Sequence, residues 1–492
     1  MVECNLAKVE VAGSNPVSRS IHLEGYGQRK LPFFIKKPSM VYLVTSCGLQ
    51  GNLNVLFSLL IILFTCFPVL PRTCPSCEAK PLETPSRVTR TASGQIDMCL
   101  SCHDERPDKA HGRKVLGCFS CHLGNPLAGA PELAHKGMIL NPGELSAAPK
   151  TCGQEGCHVE QVKRVRSSLM ATNRGIISTL RFYWGETKDH QENLTVKKLM
   201  ESDLDTPATD YFRKLCGTCH LWLKRRSLPS FLADKGGGCT ACHYYKPPAT
   251  KDGKKPSHPF MTRHIPMENC VRCHNRSGRI GLAYQGMYES EGYGTPFQDG
   301  DFSEDQLQDG RFVKRLSPDV HFRKGMICID CHSQKEVMGD GKEKAHFEQQ
   351  LEITCSSCHS GNRELERIFQ ENLKKPKFPI LTNLVKEKGR FFLKGKKDGK
   401  LHPLDRFLDT ECRHRTHERL TCQACHSRWV PQCYGCHVVN DRSRGQMDKL
   451  SLKETPGLWQ EFRSFMRYEA PPLGIKKEEG TGREDVVILV PG

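Results

Sequence analysis

The chain has 492 residues, of which 37% are hydrophobic and 8% aromatic, and its formal net charge is +17. This apolar content is low for several large conventional cores, so the composition argues against a set of ordinary globular domains. The 26 cysteines are too many for the free thiols of a cytosolic enzyme. Disulfides, zinc or another cysteine-bound group must account for them.

The first 73 residues have the character of a leader. Residues 11–20, VAGSNPVSRS, resemble a translated T-arm of a transfer-RNA gene, so we expect Met40 to be the true start and 1–39 to be a spurious or leader extension. Val55 to Leu70 is a 16-residue apolar run, shorter than the roughly 20 residues of a membrane span and close to the apolar region of a secretory signal. Residues 40–73 are therefore predicted to be a signal peptide or a short membrane anchor, and we expect the protein to be exported.

Nine C-x-x-C-H units follow, where random placement of this chain's cysteines and histidines would give about 0.06. The units are Cys99, Cys102 and His103; Cys118, Cys121 and His122; Cys216, Cys219 and His220; Cys239, Cys242 and His243; Cys270, Cys273 and His274; Cys328, Cys331 and His332; Cys355, Cys358 and His359; Cys422, Cys425 and His426; and Cys433, Cys436 and His437. Disulfides need no neighbouring histidine, and structural zinc sites use cysteine pairs in twos with no rule about the next residue. The pattern predicts covalent haem attachment, with zinc ribbons as the alternative.

A looser unit, CGQEGCH, carries Cys152, Cys157 and His158 with four residues between the cysteines. The longer spacer still presents two sulfurs and one imidazole, so we predict a tenth haem there. CPSCE has Cys74 and Cys77 but Glu78 in place of histidine, which predicts a disulfide or a pair of idle thiols. Cys412 is left without a role.

These units resemble those of the multihaem c-type cytochromes, a group that includes tetrahaem cytochromes of sulfate reducers and the octahaem hydroxylamine and nitrite enzymes. The resemblance covers Cys99 to His437. Two segments, CVRCHNRSGRIGLAYQGMYESEGYG and DVHFRKGMICIDCHSQKEVMGDGK, are similar to larger periplasmic cytochromes of metal- and oxyanion-respiring bacteria. The resemblance implies haems attached after export, in the bacterial periplasm or on the extracytoplasmic face.

Ten further histidines lie outside the motifs and the leader, one for each proposed haem. They are His111, His135, His190, His258, His264, His321, His346, His402, His414 and His417. Imidazole on both faces of an iron gives low-spin haem that carries electrons and leaves no room for substrate. A catalytic haem needs one open face, and His190 and His402 are the candidates for a histidine left out of coordination because each lies far from a motif.

The chain from Cys74 onward has 419 residues, or about 42 for each haem. This density predicts a multihaem cytochrome c fold of short α-helices and loops wrapped around a stacked haem array, with little β-sheet. We expect a decahaem domain over 74–437 and a haem-free wrapping segment over 438–492, whose apolar ending DVVILVPG leaves truncation open. Within the domain, residues 363–375 predict an amphipathic helix and residues 389–404 a hairpin with Asp-Gly in its turn.

The positive charge would suit either binding to nucleic acid or compensation of negatively charged cofactor groups. The first 73 residues carry seven basic and three acidic groups, so the remainder keeps +13. The propionates of ten haems are ionised at neutral pH unless buried, and they would offset this excess. Basic clusters such as KGKKDGK at 394–400 are then expected to pair with propionates or to form a solvated face. Basic patches would also steer acidic redox partners toward the protein. We expect no nucleic-acid partner, and the sequence leaves the oligomeric state open.

Three functions stay open. The first is an electron-transfer protein that relays electrons in anaerobic respiration between a quinol-linked donor and another cytochrome, a terminal reductase or an extracellular acceptor. The second is a reductase or oxidase of a small nitrogen, sulfur or selenium oxyanion, or of hydroxylamine, with one open haem. The third is a structural subunit of a filament or a membrane conduit. The sequence lacks a C-x-x-C-K unit, which argues against similarity to the pentahaem nitrite reductases.

Overall fold

A computed structural model describes residues 88–489, all of which belong to one compact unit. The description omits 113–114, 226–234, 247, 249–257, 276–279, 290–304, 308–311, 375–379, 405–414, 434–435, 464–465 and 478–480. The expectations about Met40, the extension 1–39, the signal or anchor 40–73, the pair Cys74 and Cys77, and Cys412 lie outside the described residues. No described helix is both long enough and apolar enough to cross a membrane.

Most described helices are one or two turns long. The α-helices are Cys99–Cys102, Cys118–His122, Pro131–Ala134, Val159–Ser167, Leu169–Thr172, Arg174–Tyr183, Val196–Met200, Pro207–Tyr211, Cys239–His243, Met267–Val271, Ile280–Tyr284, Val320–Arg323, Cys328–Cys331, Gln334–Met338, Ser356–His359, Asn362–Lys374 and Cys422–His426. Single 3-10 turns cover Ala148–Lys150, Phe347–Gln349 and Arg415–His417, and a π-helical turn covers Phe212–Cys216. Frequent glycine and proline limit the length of these elements.

The described strands form small antiparallel sheets of two or three strands. They are β1 Tyr244–Tyr245, β2 Phe260–Met261, β3 Met287–Glu289, β4 Asp305–Gln306, β5 Phe312–Arg315, β6 Leu384–Glu387, β7 Arg390–Lys394, β8 Leu401–Pro403, β9 Val430–Cys433, β10 Cys436–Asp448, β11 Lys453–Arg463, β12 Met466–Glu469, β13 Leu473–Lys477 and β14 Glu484–Ile488. The sheet orders are β1-β2, β3-β5-β4, β6-β7-β8, β12-β9, β10-β11 and β13-β14.

Side-chain packing among the described residues is divided into three small clusters. The largest contains Leu365, Ile368 and Phe391, and motif cysteines Cys331 and Cys358 pack against it. The second and third are built around Leu145 and Phe212, with Cys239 and Cys216 respectively at their edges. Each cluster therefore borders an attachment motif. The haem-filled interior stays a prediction. A haem attached at one of these bordering motifs would add apolar surface to the neighbouring cluster.

Two of the predicted local elements are confirmed. Helix Asn362–Lys374 buries Leu365 and Ile368 on one face, as its amphipathic pattern predicts. Strands β7 and β8 pair antiparallel as the predicted hairpin. Its turn contains Asp398 and then Gly399, whose φ of +74° is a conformation that favours glycine.

The segment after His437 contains a long ribbon that the sequence analysis did not anticipate. Strands β10 and β11, of 13 and 11 residues, pair along nearly their whole length. Trp459 of β11 is 8% exposed, packs at a tilt against Trp184 and edge-to-face against Tyr211, and donates its indole N–H to Asp210 at 2.7 Å. The ribbon therefore packs on the helix that leads into the motif beginning at Cys216.

A buried lysine fixes the same junction. Lys214 is 0% exposed, and its ammonium donates to the carbonyl oxygens of Pro456 and Gly457 and lies 2.8 Å from the Asp210 carboxylate. A fully desolvated ammonium needs such partners, because an unpaired buried charge is strongly destabilising. The tail of the chain is thus tied to the segment directly ahead of Cys216.

Candidate haem-binding site

The attachment motifs form short helical turns. Short α-helices cover or overlap seven of the strict C-x-x-C-H units in the described residues, for example Cys118–His122 and Cys239–His243, and the π-helical turn ends on the first cysteine of an eighth. In a helical turn, residues i, i+3 and i+4 share one face. The spacing therefore brings two thiols and one imidazole to the same side of the backbone, which is the arrangement that a haem with two thioethers and one iron bond requires.

Buried polar side chains fix the motif backbones. Asp97, which is 0% exposed, accepts the backbone N–H of Cys118 at 2.8 Å. Asn269, which is 7% exposed, donates to the Cys242 carbonyl at 2.7 Å. Asn173 donates to the Cys219 carbonyl at 3.3 Å. The sequence analysis missed these residues, and only Asn269, which directly precedes Cys270, and Asp97, two residues before Cys99, lie next to a motif in the sequence.

A glycine allows the motif at Cys239 to lie close to the loop that contains Gly143. Gly238 directly precedes Cys239 and has a φ of +58°, and a Cβ there would lie 2.3 Å from the Gly143 carbonyl oxygen. The Cys239 backbone N–H donates to the same carbonyl at 2.8 Å. Only glycine tolerates both the conformation and the close contact.

Among the residues that the structure describes, four of the motif histidines each face one histidine from outside the motifs. The ring centroids are 6.0 Å apart for His103 and His135, 6.3 Å for His111 and His158, 6.2 Å for His122 and His258, and 6.0 Å for His321 and His359. The partners come from before or after the motif, as far away as His258 from His122. These four are called the mixed pairs below.

The spacing of the mixed pairs matches two imidazoles on one iron. With a metal–nitrogen bond of about 2.0 Å and a ring centre about 1.1 Å behind the nitrogen, the two centroids would be about 6.2 Å apart. The four observed separations of 6.0 to 6.3 Å lie within 0.2 Å of that value. The residues present therefore fit a haem iron with histidine on both faces.

Many candidate ligands use Nδ1 in a hydrogen bond. His122 Nδ1 donates to the Ile139 carbonyl at 2.7 Å, and His243 Nδ1 donates to the Thr262 carbonyl at 2.8 Å. In a neutral imidazole that donates from Nδ1, Nε2 carries the lone pair. His258 and His264 have the same kind of contact, to the carbonyl oxygens of Pro259 at 2.6 Å and Lys396 at 3.0 Å. Metal-binding histidines usually have this second contact, which orients the ring and sets its tautomer.

In three hydrogen bonds of the described residues, a carboxylate takes the place of the carbonyl. His111 Nδ1 lies 3.0 Å from Asp108, His321 Nδ1 lies 2.9 Å from Asp319, and His332 Nδ1 lies 3.1 Å from Glu336. Burial works to raise the pKa of Glu336, but hydrogen bonds from His332 and from backbone N–H groups outweigh it and lower that pKa. The sequence analysis missed these acids, although each lies within four residues of its histidine.

The pKa values of several motif histidines are lowered by burial. Burial is the largest cause for His122, His158 and His359, and a neighbouring histidine adds to it in each case. Burial also lowers the pKa of His220 to about 4, and the Gly217 backbone opposes this only in part. The His220 ring is 3% exposed and makes no hydrogen bond of ordinary geometry. Neutral imidazoles are the form that binds a metal.

Contacts between thiols connect different motifs. Cys99 contacts Cys118, Cys152 contacts Cys239, Cys270 contacts Cys328, Cys355 contacts Cys422, and Cys219 contacts Cys273. Burial raises the pKa values of Cys121 and Cys331, and contact with Cys328 raises that of Cys270; a thiol of a neighbouring motif adds to each, namely Cys152 for Cys121, Cys358 for Cys331 and Cys242 for Cys270. The motifs beginning at Cys99, Cys118, Cys152, Cys239, Cys270, Cys328, Cys355 and Cys422 therefore form a continuous run.

The predicted ligands His190 and His346 contact each other. Their rings are stacked at 5.5 Å and 26°, and His346 Nε2 donates to the His190 carbonyl at 2.9 Å. The Phe182 ring packs edge-on against the His190 ring, with the ring centroids 5.7 Å apart. The pair, called the like pair below, therefore differs from the mixed pairs in composition, in angle and in the nitrogen that is used.

The remaining predicted ligands have varied positions. His402 is buried in β8 with Nε2 free of hydrogen bonds, and His417 and His426 are exposed. Within the described residues, no ring partner is assigned to His220, His243, His332 or His426. His414 and the side chains of Cys433, Cys436 and His437 lie outside the described part of the chain. His274 follows helix Met267–Val271.

Comparisons with family models, with curated proteins and with solved structures found no match to this chain. Among the described residues, no group of three or more histidine, cysteine, aspartate or glutamate side chains is arranged to hold a metal ion. An iron in a bis-histidine haem takes only two protein side chains, so it does not require such a group. The functional argument therefore depends on the histidine pairs and on the motifs that supply them.

Proposed function

We propose that this protein is an exported multihaem c-type cytochrome in which about ten covalently attached haems relay electrons. The observation that carries the proposal is the set of mixed pairs, at 6.0 to 6.3 Å between ring centroids. Each combines one histidine of an attachment motif with one histidine from elsewhere. Ordinary ring contacts cover the same range of separations, as Phe369 and Phe391 do at 6.0 Å, so the recurrent pairing of a motif histidine with an outside histidine is what distinguishes the mixed pairs.

The chain's residues have distinct roles in this proposal. Motif cysteines attach the group through thioether bonds, and motif histidines such as His122 bind one face of the iron. Histidines such as His258 bind the other face and exclude small molecules from it. The Ile139 and Pro259 carbonyls hold these two rings in position through Nδ1. When bound, haem with two histidines supplies one-electron oxidation and reduction without opening a substrate position.

The contacts between motifs support a relay in preference to isolated centres. Because each haem is fixed to its own motif, motifs in contact carry neighbouring haems. The run from the motif at Cys99 to that at Cys422 supports a continuous path for electrons, and the contact between Cys219 and Cys273 adds the motif at Cys216 beside it. The order of the motifs in space therefore differs here from their order in the sequence, because the motif at Cys152 is followed by the motif at Cys239 and not by the motif at Cys216.

The partners are other redox proteins. The resemblance implies a quinol-linked donor and a cytochrome or terminal reductase as acceptor, with the protein in the periplasm or on the extracytoplasmic face and with possible attachment to the membrane through residues 40–73. Basic residues offset haem propionates and attract acidic partners. Lys396 of the cluster at 394–400 donates to the Ile329 carbonyl inside a motif, which supports a role beside the haems.

Mass spectrometry and electron paramagnetic resonance test this proposal. We expect the mature protein to carry ten covalent haems, and a mass with nine would remove Cys152, Cys157 and His158 from the set. The oxidised protein should give low-spin signals. A protein that binds zinc, or that has no covalent haem, would contradict the proposal.

A second candidate function, favoured by the like pair, is a reductase or oxidase of a small oxyanion or of hydroxylamine. His190 and His346 bind each other in the structure. Two of the ten non-motif histidines would then be unavailable, and the iron at a motif histidine such as His220 would keep an open face. A high-spin signal that changes on addition of nitrite, hydroxylamine or sulfite would establish this function.

A further inference from the structure

Glu336 is a buried carboxylate that contacts a motif histidine. Its side chain is 1% exposed. One oxygen accepts His332 Nδ1–H and the Ser333 backbone N–H, both at 3.1 Å. The other accepts the Ile353 N–H at 2.6 Å and the N–H of Glu352. Four N–H donors occupy the two oxygens, so the group is bound as the charged carboxylate and not as the acid.

Two other motif histidines have a neutral acceptor at the same position. His122 and His243 both donate to backbone carbonyl oxygens. A carboxylate draws the Nδ1 proton toward itself and makes the imidazole a stronger electron donor at Nε2. An iron bound at that nitrogen is then stabilised in its ferric state relative to its ferrous state.

We infer that Glu336 acts through His332 to lower the reduction potential of the iron that His332 binds. This haem would then have a lower reduction potential than haems whose histidine donates to a neutral carbonyl. The inference rests on the proposed function. Glu336 does not touch the reacting atoms, so it is a positioning residue that tunes a potential. The chain is therefore expected to carry haems of unequal potential, set by the acceptor at Nδ1.

Two other carboxylates provide an internal scale. The exposed fraction of the side chain is 1% for Glu336, 14% for Asp108 and 42% for Asp319. The Nδ1–oxygen distances run the opposite way, at 3.1, 3.0 and 2.9 Å. Water and salt screen an exposed charge far more than a buried one. Burial therefore predicts the largest effect at Glu336, whereas distance alone predicts it at Asp319.

The test is a spectroelectrochemical titration of the haem-loaded protein with Glu336→Gln, Asp108→Asn and Asp319→Asn. We expect Glu336→Gln to raise the potential of one haem by at least about 59 mV, a tenfold change in its ferric-to-ferrous ratio. The shift should persist at high salt. Asp108→Asn should give a smaller shift, and Asp319→Asn, the exposed control, should leave the titration unchanged.

Two results would overturn the inference. One is a Glu336→Gln protein with full haem content and an unshifted titration. The other is a shift for Asp319→Asn that equals or exceeds that for Asp108→Asn, which decides the matter even if Glu336→Gln fails to fold. Absence of covalent haem in the parent protein would instead remove the proposed function, so the two failures are distinguishable.

Discussion

The mixed pairs and the like pair show two ways in which this chain places histidines together. In the mixed pair of His122 and His258 the rings are 6.2 Å apart and nearly perpendicular, and both use Nδ1 for a carbonyl. In the like pair of His190 and His346 the rings are 5.5 Å apart and nearly parallel, and His346 uses Nε2. The first geometry leaves room for a metal between the rings. The second fills that space with ring contact.

Breaking a mixed pair should have the largest effect. On the proposed function, His258→Ala removes the second ligand of the iron at His122, so we expect one haem of about ten to change from low to high spin. It would also remove a proposed cross-link between distant segments, and closing a loop of this size is worth on the order of 5 kcal/mol. Electron paramagnetic resonance and denaturant unfolding measure the two effects.

The matching experiment is His135→Ala in another mixed pair. It should change the spin state of one haem in the same way. If either variant kept all its haems low-spin, the separation of the ring centroids would not reflect ligation.

A variant that lowers the free energy of unfolding by a similar amount without touching a candidate ligand separates loss of stability from loss of ligation. Trp459→Ala removes a buried indole that packs on Trp184 and Tyr211. We expect a loss of about 3 kcal/mol in the free energy of unfolding, with the number of low-spin haems unchanged. Leu473→Ala at a half-exposed position of β13 is the control, with a change within about 0.5 kcal/mol. A spin-state change in Trp459→Ala would mean that the spectra report general loosening.

Breaking the like pair should have the smallest effect. His346→Ala removes a stacked ring and one hydrogen bond, so we expect a loss of about 1 kcal/mol and no change in spin state. His346→Phe keeps the stacked ring and should recover part of the stability. Such results would leave two motif histidines without partners and favour the open-haem enzyme. Appearance of a high-spin signal would instead identify His346 as a ligand.

Local features of this molecule could be predicted from the sequence, and the pairing could not. The motif turns, helix Asn362–Lys374 and the β7–β8 hairpin follow from spacing and periodicity within a few residues. The match of His122 with His258 depends on how distant segments pack, which no local pattern encodes. The like pair was hidden for the same reason, although His190 was already a candidate for exclusion from coordination.

The ribbon illustrates a second limit. Strand β10, CHVVNDRSRGQMD, has no sustained alternation of apolar and polar residues, so its sequence gives no strand signal. Its length comes from pairing with β11 and from the anchors at Trp459 and Lys214. By contrast, the acids at Asp108, Asp319 and Glu336 lie two to four residues from their histidines and could have been found by examining each histidine's neighbours.

The contact between the ribbon and the segment ahead of Cys216 has a consequence for folding. Chains are made from the amino end, so Cys216 is synthesised more than two hundred residues before Trp459, which packs beside that segment. Until the ribbon is made, the Lys214 ammonium lacks the carbonyl oxygens of Pro456 and Gly457 that accept its hydrogen bonds. The segment directly ahead of Cys216 therefore reaches its final packing only after β11 has been synthesised.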